Sequence, residues 1–262
     1  MGRFLRTLLL LVFITGIGVC AWRVFDMYSE YRQGQKLYSG MQQYVTMPAA
    51  PAAEAEMQAE NTLAGAEQMT AEDGIKFPKV EFESLRHVCP GIVGWVCIQG
   101  TNISYPIVQG EDNRYYASTM IDGTHNDAGS IFMDFRNSPD FSDRHTVIYG
   151  HNMNDGTMFH DILEYKQQEY FEQHPVGLIM TPEKNYYFEI VSAYVASLAE
   201  PSWQLEFVDE ADERNWILES MARSEFICDI QPQPGERYIT LSTCSYEFEE
   251  ARFVLVGILH EG

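Results

Sequence analysis

The sequence predicts a mainly β fold, in which eight short strands form a closed barrel or a sandwich, with short helices before them and one helix inserted near the end. Two observations lead to this prediction. Eight strand-like runs lie between residues 92 and 260, separated by clusters of Gly, Asn, Asp and Pro, and little helical pattern lies between them. The runs are residues 92–99, 103–108, 130–134, 146–149, 176–180, 186–197, 238–243 and 253–260.

Composition supports a folded, strongly acidic protein. Of the 262 residues, 45% are hydrophobic and 13% aromatic, which is enough for a packed core and excludes wholesale disorder. The formal net charge is -21, and residues 1–23 contain arginines and no acid, so the rest of the chain is more acidic still. Such a surface repels nucleic acid and anionic lipid. Any membrane contact must therefore come from an apolar segment.

An apolar segment of this kind opens the chain. Residues 7–22 carry no charge and lie between N-terminal arginines and Arg23. A transmembrane helix needs about 20 residues, so this segment is slightly short. The preceding apolar residues and a snorkelling Arg23 make it long enough to cross the membrane. We expect residues 1–23 to be a retained anchor, with a cleaved signal peptide as the alternative. The N-terminal arginines place the start of the chain in the cytoplasm and residues 24–262 outside the membrane.

The next two stretches lead to the folded domain. Residues 24–45 are polar and aromatic with rough helical spacing, which predicts a juxtamembrane helix. Residues 46–74 are rich in Ala and Glu and contain no aromatic residue, so they cannot bury a core. We interpret them as a flexible or partly helical spacer that holds residues 75–262, the predicted folded domain, off the membrane.

Two helices are predicted within this domain. Residues 81–88 form a short helical pattern that Pro90 and Gly91 stop. Residues 209–223 combine acids in the first turn with Ile217, Leu218 and Met221 on one side. This pattern predicts an amphipathic helix with Asp209 as its N-cap.

The five cysteines give no metal or disulfide framework. Cys20 lies in the apolar segment, and no CxxC or paired Cys/His spacing occurs. Cys89, Cys97 and Cys228 lie in apolar contexts that are typical of buried thiols. A Cys89–Cys97 disulfide stays open at this point. We predict no metal and no cofactor.

The fifth cysteine belongs to a group of residues with catalytic potential. Residues 239–244 form a β-propensity run that ends in Cys244, and Arg252 opens the next run after a short connection. If the two runs pair as an antiparallel hairpin, the thiol and the guanidinium share one rim of the sheet. His151 follows another strand-like run, 147–149, at the kind of loop position where a scaffold presents functional groups.

These three residue types are suited to acyl transfer without a metal. A thiolate can attack a carbonyl carbon, an imidazole can supply a proton to the leaving amine, and a cation can stabilise the oxyanion. An unperturbed thiol has a pKa of about 8.5, so a neighbouring positive charge is needed to populate the thiolate at neutral pH. His151 and Arg252 are the candidates for that charge.

The motifs around these residues resemble those of sortases, the cysteine transpeptidases of Gram-positive bacterial surfaces. TLSTC at residues 240–244, followed by Arg252, is similar to the family's TLxTC…R signature, and IYGHNM at 148–153 is similar to its histidine motif. Matching text at 92–110 and 128–134 extends the resemblance over roughly residues 80–260. The insertion at 209–223 and the YGHNM form most resemble class B sortases of clostridial type.

The resemblance implies an eight-stranded sortase-type β-barrel and a role for each site residue. Cys244 is the implied nucleophile, His151 the general acid and base, and Arg252 the donor to the oxyanion or substrate carbonyl. Ser242 and Thr243 are implied to line the substrate groove. The implied reaction cleaves a C-terminal sorting signal after threonine, through a thioacyl intermediate, and passes the acyl group to an amine.

The same resemblance implies the partners and the location. The substrates are secreted surface proteins with an LPxTG-like or NPxTx-like sorting motif, and the acceptor is an amine of a peptidoglycan precursor. The enzyme is implied to sit in the cell membrane through its N-terminal helix, with the catalytic domain outside.

Two interpretations that assign other functions to the protein stay open. One is a cysteine hydrolase that delivers the acyl group to water, and the other is a non-catalytic barrel that binds wall peptides. His125, His145, His160 and His174 have no motif around them, and we expect them in loops or at the surface. The acids at 247–250, between Cys244 and Arg252, are expected to be solvated.

Overall fold

Eight strands close into a barrel in the computed structural model, which describes residues 2–48 and 75–262. The helices are α1 (Gly2–Met41), α2 (Phe82–Val88), α3 (Gln168–Gln173) and α4 (Glu210–Ala222), with 3-10 turns at Gln42–Tyr44, His160–Lys166 and Pro201–Trp203. The strands are β1 (Val45–Thr46), β2 (Lys79–Val80), β3 (Ile92–Cys97), β4 (Ser104–Val108), β5 (Ile131–Met133), β6 (His145–Tyr149), β7 (Val176–Met180), β8 (Asn185–Ser197), β9 (Arg237–Cys244) and β10 (Ala251–Glu261).

The barrel has the strand order β10-β8-β7-β3-β4-β5-β6-β9, and β9 closes it against β10. The pairs β4–β5 and β6–β9 are parallel, whereas the other neighbours are antiparallel. Each of the eight predicted runs forms one strand of the barrel. The prediction of a mainly β fold is therefore confirmed, and the architecture is the barrel rather than the sandwich.

Strand alternation gives β9 and β10 two different faces. Ile239 and Leu241 of β9, like Phe253 of β10, belong to the core inside the barrel. Tyr238 and Val254 point the other way and pack with Trp216 and Ile217 of α4, among others, in a second cluster. Because successive side chains of a strand alternate between faces, the even-numbered positions of both strands lie on this outer face.

Helix α4, which was predicted from its amphipathic pattern, covers part of that outer face. The Asp209 carboxylate accepts hydrogen bonds from the backbone N–H groups of Ala211 and Asp212, at 3.0 and 2.9 Å. This N-cap satisfies amides that the first turn leaves unpaired. Trp216 and Ile217 supply the buried face, whereas Leu218, which the pattern assigned to it, is 41% exposed.

Helix α1 is one continuous helix that runs through the predicted anchor and the predicted juxtamembrane helix. Its N-terminal part contains an apolar stretch that is long enough to span a membrane and that makes no contact with the folded body. Its last turns pack on the barrel, where Tyr38 and Met41 are 5% and 7% exposed and Gly34 lies against Ala128. The chain beyond residue 23 is therefore partly built into the folded body.

The described residues on either side of the Ala/Glu-rich segment, whose role as a spacer stays a prediction, pair with each other. Strand β1 pairs antiparallel with β2, with Val45 opposite Val80. Both ends of the segment therefore lie at one place, beside the docked end of α1. Residues 49–74 themselves lie outside the described residues.

His145 is a buried strand residue, so the expectation of a loop or surface position is wrong. It opens β6 and is fully buried, with Nδ1 2.6 Å from the carbonyl oxygen of Gln204 and Nε2 2.8 Å from Oγ1 of Thr240. Two partners from distant segments satisfy the ring, which removes the cost of burying it. Burial lowers the pKa of His145 to about 4, so the ring is neutral at physiological pH.

This histidine is expected to make stability depend on pH. Below an unfolded pKa of about 6.5 the unfolded chain takes up a proton at His145, whereas the folded protein does so only near pH 4. The free energy of unfolding should therefore fall between pH 6.5 and 4, by up to about 3 kcal/mol from this group. We expect a shallower fall in His145→Gln when chemical denaturation is followed across that window. His125→Gln, at an exposed histidine, serves as the control. Equal slopes in all three proteins would contradict the assignment.

Candidate active site

The hairpin of β9 and β10 brings Cys244 and Arg252 together. The two residues are direct register partners, and their positions place both on the outer face of the barrel. The connection between them is tightly folded, because the Ser245 amide donates to the carbonyl of Ala251 at 3.1 Å. Cys244 is half-buried and free. A thiol and a guanidinium therefore share one rim of the sheet, as the hairpin pattern predicted.

The parallel pairing of β6 with β9 brings His151 to the same rim. Tyr149 of β6 lies opposite Ser242, and the amide of Gly150 donates to the Ser242 carbonyl at 3.0 Å. Gly150 is required here because a Cβ atom would lie 2.4 Å from a methyl carbon of Ile131. The backbone is therefore closely packed at the end of β6, and His151 follows it beside Cys244.

One ring nitrogen of His151 has a fixed partner. Nε2 lies 2.6 Å from the carbonyl oxygen of Ala117. A carbonyl oxygen only accepts hydrogen bonds, so Nε2 carries a proton in both the neutral and the charged ring. The proton that the ring gains or loses is therefore on Nδ1.

The electrostatics favour a thiolate beside an imidazolium. A hydrogen bond with the Cys244 thiol raises the pKa of His151 against the effect of burial, and the Ala117 carbonyl and the negative charge of Asp127 act in the same direction. The same hydrogen bond lowers the pKa of Cys244 against burial, and the positive charge of Arg252 adds to this effect. The two shifts have opposite signs and both stabilise the ion pair.

Removal of the imidazole should shift the reactivity of the thiol. In His151→Gln the main cause of the lowered Cys244 pKa is lost, so that pKa should rise. Alkylation of Cys244 by iodoacetamide at pH 6 should then slow about threefold or more, since the reagent reacts with the thiolate. Site-resolved mass spectrometry measures the rate at Cys244 alone. His87→Gln, at an exposed histidine of α2, should leave the alkylation rate of Cys244 unchanged. An unchanged rate in His151→Gln would refute the coupling between the imidazole and the thiol.

The guanidinium of Arg252 keeps its charge available. Its Nη1 donates to the carbonyl of Ala251 at 2.9 Å. In the described part of the chain, no carboxylate forms an ion pair with Arg252. A half-buried cation with free donors beside a thiol can stabilise negative charge on a substrate oxygen.

Ser242 and Thr243 are placed next to Cys244, but their hydroxyl groups are used within the protein. Each residue is 2% exposed. Ser242 Oγ accepts from the indole N–H of Trp203 at 3.1 Å, and Thr243 Oγ1 donates to the Gly150 carbonyl at 2.7 Å. This geometry is suited to holding the strand ends in place rather than to forming an open groove wall.

The loop after His151 adds a second connection to the nucleophile's strand. Asn152 donates through Nδ2 to the carbonyl of Cys244 at 3.2 Å, while its Oδ1 lies 2.8 Å from Nδ1 of His160. His160 therefore lies beside the site through Asn152, although no motif in the sequence marks it. Asn152 is the residue after His151 in the YGHNM text, and its role in holding Cys244 required the structure.

One of the exposed acids in the Ser245–Ala251 connection has partners within the protein. The Glu247 carboxylate forms an ion pair with Lys166 and a hydrogen bond with the Ser245 hydroxyl. These two partners lower the pKa of Glu247 to about 2. The connection after Cys244 is therefore tied to the turn that contains Lys166, and Glu247, Glu249 and Glu250 are all exposed, as expected.

Neither a disulfide nor a cluster suited to a metal occurs in the described residues. All five cysteines have free thiols, including the buried Cys89 and Cys97. Across residues 2–48 and 75–262, no group of three or more His, Cys, Asp and Glu side chains is placed to hold a metal ion. The chemistry of the site is to be derived from Cys244, His151 and Arg252.

Comparison with known proteins agrees with this geometry. A family model described as "Sortase domain" matches residues 96–260. Sortase B of Listeria monocytogenes is 35% identical over 181 residues, which cover 68% of this chain and 74% of that protein. Sortase B of Staphylococcus aureus is 28% identical over 259 residues, which cover 98% of this chain and 97% of that protein.

Solved structures give the same result. A Staphylococcus aureus sortase B–substrate complex has a TM-score of 0.71 at 27% identity, and the match covers 89% of this chain and 99% of that chain. Clostridium perfringens sortase B has a TM-score of 0.64 at 31% identity, with 69% and 100% covered. The chain belongs to the sortase family of cysteine transpeptidases. Within that family it is a class B sortase.

Proposed function

We propose that this class B sortase cleaves a C-terminal sorting signal after its threonine and transfers the protein to an amine of a peptidoglycan precursor. The observation that carries the proposal is the meeting of three groups at one rim of the barrel. Cys244 and Arg252 are register partners, and His151 lies close enough to the Cys244 thiol for each group to shift the other's pKa.

The proposed first half-reaction forms a thioester. The Cys244 thiolate attacks the threonine carbonyl carbon, and the negative charge that develops on the carbonyl oxygen is stabilised by the guanidinium of Arg252. When the intermediate collapses, the C–N bond breaks and the leaving amine takes the Nδ1 proton of His151. The acyl group is then bound to Sγ, and the imidazole is neutral.

The proposed second half-reaction reverses these roles. The acceptor amine attacks the thioester carbonyl carbon and gives a proton to His151. The C–S bond then breaks, so an amide is released and the thiolate–imidazolium pair is restored. Ser242 and Thr243 act here as positioning residues, because their buried hydroxyls hold Trp203 and the Gly150 turn.

We further propose that the barrel domain lies close to the extracellular surface of the cell membrane. Helix α1 continues from its apolar stretch into the barrel without a break. At 1.5 Å per residue, the path from Arg23 to Tyr38 is about 22 Å. A sorting signal and a lipid-linked acceptor would both be presented within that distance of the bilayer, with the N-terminus of the enzyme in the cytoplasm.

The test is product analysis with the full chain in detergent micelles. LPxTG-like and NPxTx-like peptides are incubated with triglycine as the amine acceptor, and products are identified by mass spectrometry. Formation of the amide after threonine is the expected result. Acid as the product even with saturating acceptor would replace the transpeptidase with a cysteine hydrolase. No cleavage of any peptide would favour a non-catalytic barrel that binds wall peptides.

A further inference from the structure

The last turns of α1 pack against the segment that neighbours Ala117, the residue whose carbonyl accepts from His151. Tyr38 is 5% exposed, and its hydroxyl donates to the carbonyl of Gly129 at 2.5 Å. The same oxygen lies 3.3 Å from Oγ of Ser130. A buried tyrosine of helix α1 is thus hydrogen-bonded to the backbone just before strand β5.

Gly129 transmits this contact directly to Ala117. It has φ +55°, and a Cβ atom at this position would lie 2.7 Å from the carbonyl oxygens of both Tyr116 and Ala117. The backbones are therefore in contact, with no side chain between them. The next amide, that of Ser130, donates to the Tyr116 carbonyl at 2.9 Å. A displacement of Gly129 must move the carbonyl that holds His151.

The same helix also contacts the loop that follows His151. Gln35 donates to the carboxylate of Asp155 at 3.1 Å. The Tyr38 ring packs edge-on against Tyr105, whose hydroxyl accepts from the Met158 amide at 2.9 Å. Helix α1 therefore supports both segments that determine where the imidazole lies.

We propose that Tyr38 is a positioning residue for catalysis, which acts through Gly129 and Ala117 to hold His151 in line with Cys244. The effect on turnover rests on the proposed function, whereas the effect on the thiol does not. In this arrangement the last turns of α1 help to position a catalytic residue, in addition to linking the barrel to the apolar segment.

The expected consequence follows from the charges around His151. Cys244 and Asp127 face the imidazole, and Arg252 faces the thiol. Loss of a well-placed Ala117 carbonyl removes one acceptor from the imidazolium, so the ion pair becomes less stable. The pKa of Cys244 then rises, and less thiolate is present at low pH.

The test compares Tyr38→Phe with Tyr28→Phe in the full chain in detergent micelles. The control removes the same hydroxyl from the same helix, at a residue that is 52% exposed and bonded to Arg32. The readout is the pH profile of Cys244 alkylation by iodoacetamide, with the rate at Cys244 resolved by mass spectrometry. We expect Tyr38→Phe to slow alkylation at pH 6 by about threefold or more and the control to match the wild type. A wild-type profile in Tyr38→Phe would overturn the proposal.

A second variant protects the test against loss of folding. Gln35 is exposed, so Gln35→Ala removes its bond to Asp155 without opening the core. It should shift the alkylation profile in the same direction, and an unshifted profile would also count against the proposal. Alkylation needs no peptide substrate, so the two proposals can fail separately. If the chain cleaves no peptide but the alkylation profiles of the variants shift as expected, the proposed function is refuted and the role of Tyr38 in positioning His151 stands.

Discussion

Replacement of Cys244 by alanine should abolish both cleavage and transfer, with a loss of about 10⁴-fold or more in kcat. The proposed mechanism passes through a thioester on the Cys244 sulfur, and the neighbouring Ser242 and Thr243 hydroxyls are held in hydrogen bonds within the protein. His151 and Arg252 would remain in place, so peptide binding should persist. Product formation is measured with the best peptide of the panel, and binding is followed by fluorescence anisotropy.

Cys228→Ala is the matched control for this variant. Cys228 is a half-buried thiol, as Cys244 is, but it lies in an apolar cluster with its Sγ 3.9 Å from the carbonyl of Ile190. Its activity should equal that of the wild type. Turnover in Cys244→Ala within tenfold of the wild type would rule out Cys244 as the nucleophile.

Replacement of Arg252 by alanine is expected to lower kcat by about 10²- to 10³-fold, the usual effect of losing one donor to an oxyanion. The loss has two causes. The cation no longer stabilises the tetrahedral intermediate, and the pKa of Cys244 rises because the charge that helps to lower it is gone. Arg252→Lys should recover part of the rate, because lysine keeps the charge and loses the planar fork of donors.

The two causes can be separated by comparing turnover with the alkylation of Cys244 by iodoacetamide at the same pH. Alkylation reports the loss of thiolate alone, so the part of the turnover deficit that exceeds the alkylation deficit belongs to the oxyanion. Arg86→Ala on α2, which removes an exposed arginine paired with Glu83, should affect neither rate. A turnover deficit in Arg252→Ala that is no larger than its alkylation deficit would assign Arg252 to the thiol alone.

The barrel strands and the Cys244–Arg252 pairing could be predicted because both depend on residues that are close together in the sequence. Each strand is a short β-propensity run between turn residues, and a hairpin with a short connection fixes which residues face each other. Asp209 and the acids after it likewise mark the start of α4.

The features that were missed depend on partners distant in sequence. His145 is buried because Gln204 and Thr240 supply hydrogen-bond partners that no local pattern reveals. Ala117 holds His151 through a backbone carbonyl, which has no residue signature. The docking of α1 depends on Tyr38 reaching Gly129, a contact between residues distant in sequence.

The most direct test of the account is the site of covalent attachment in a trapped acyl-enzyme. The full chain is mixed with a cleavable sorting peptide in the absence of an amine acceptor, quenched in acid and analysed by intact-mass and peptide-level mass spectrometry. We expect one added acyl group that ends in threonine, bound to Cys244, released by amine and absent from Cys244→Ala. An adduct on another residue, or amide formation by Cys244→Ala at the wild-type rate, would contradict it.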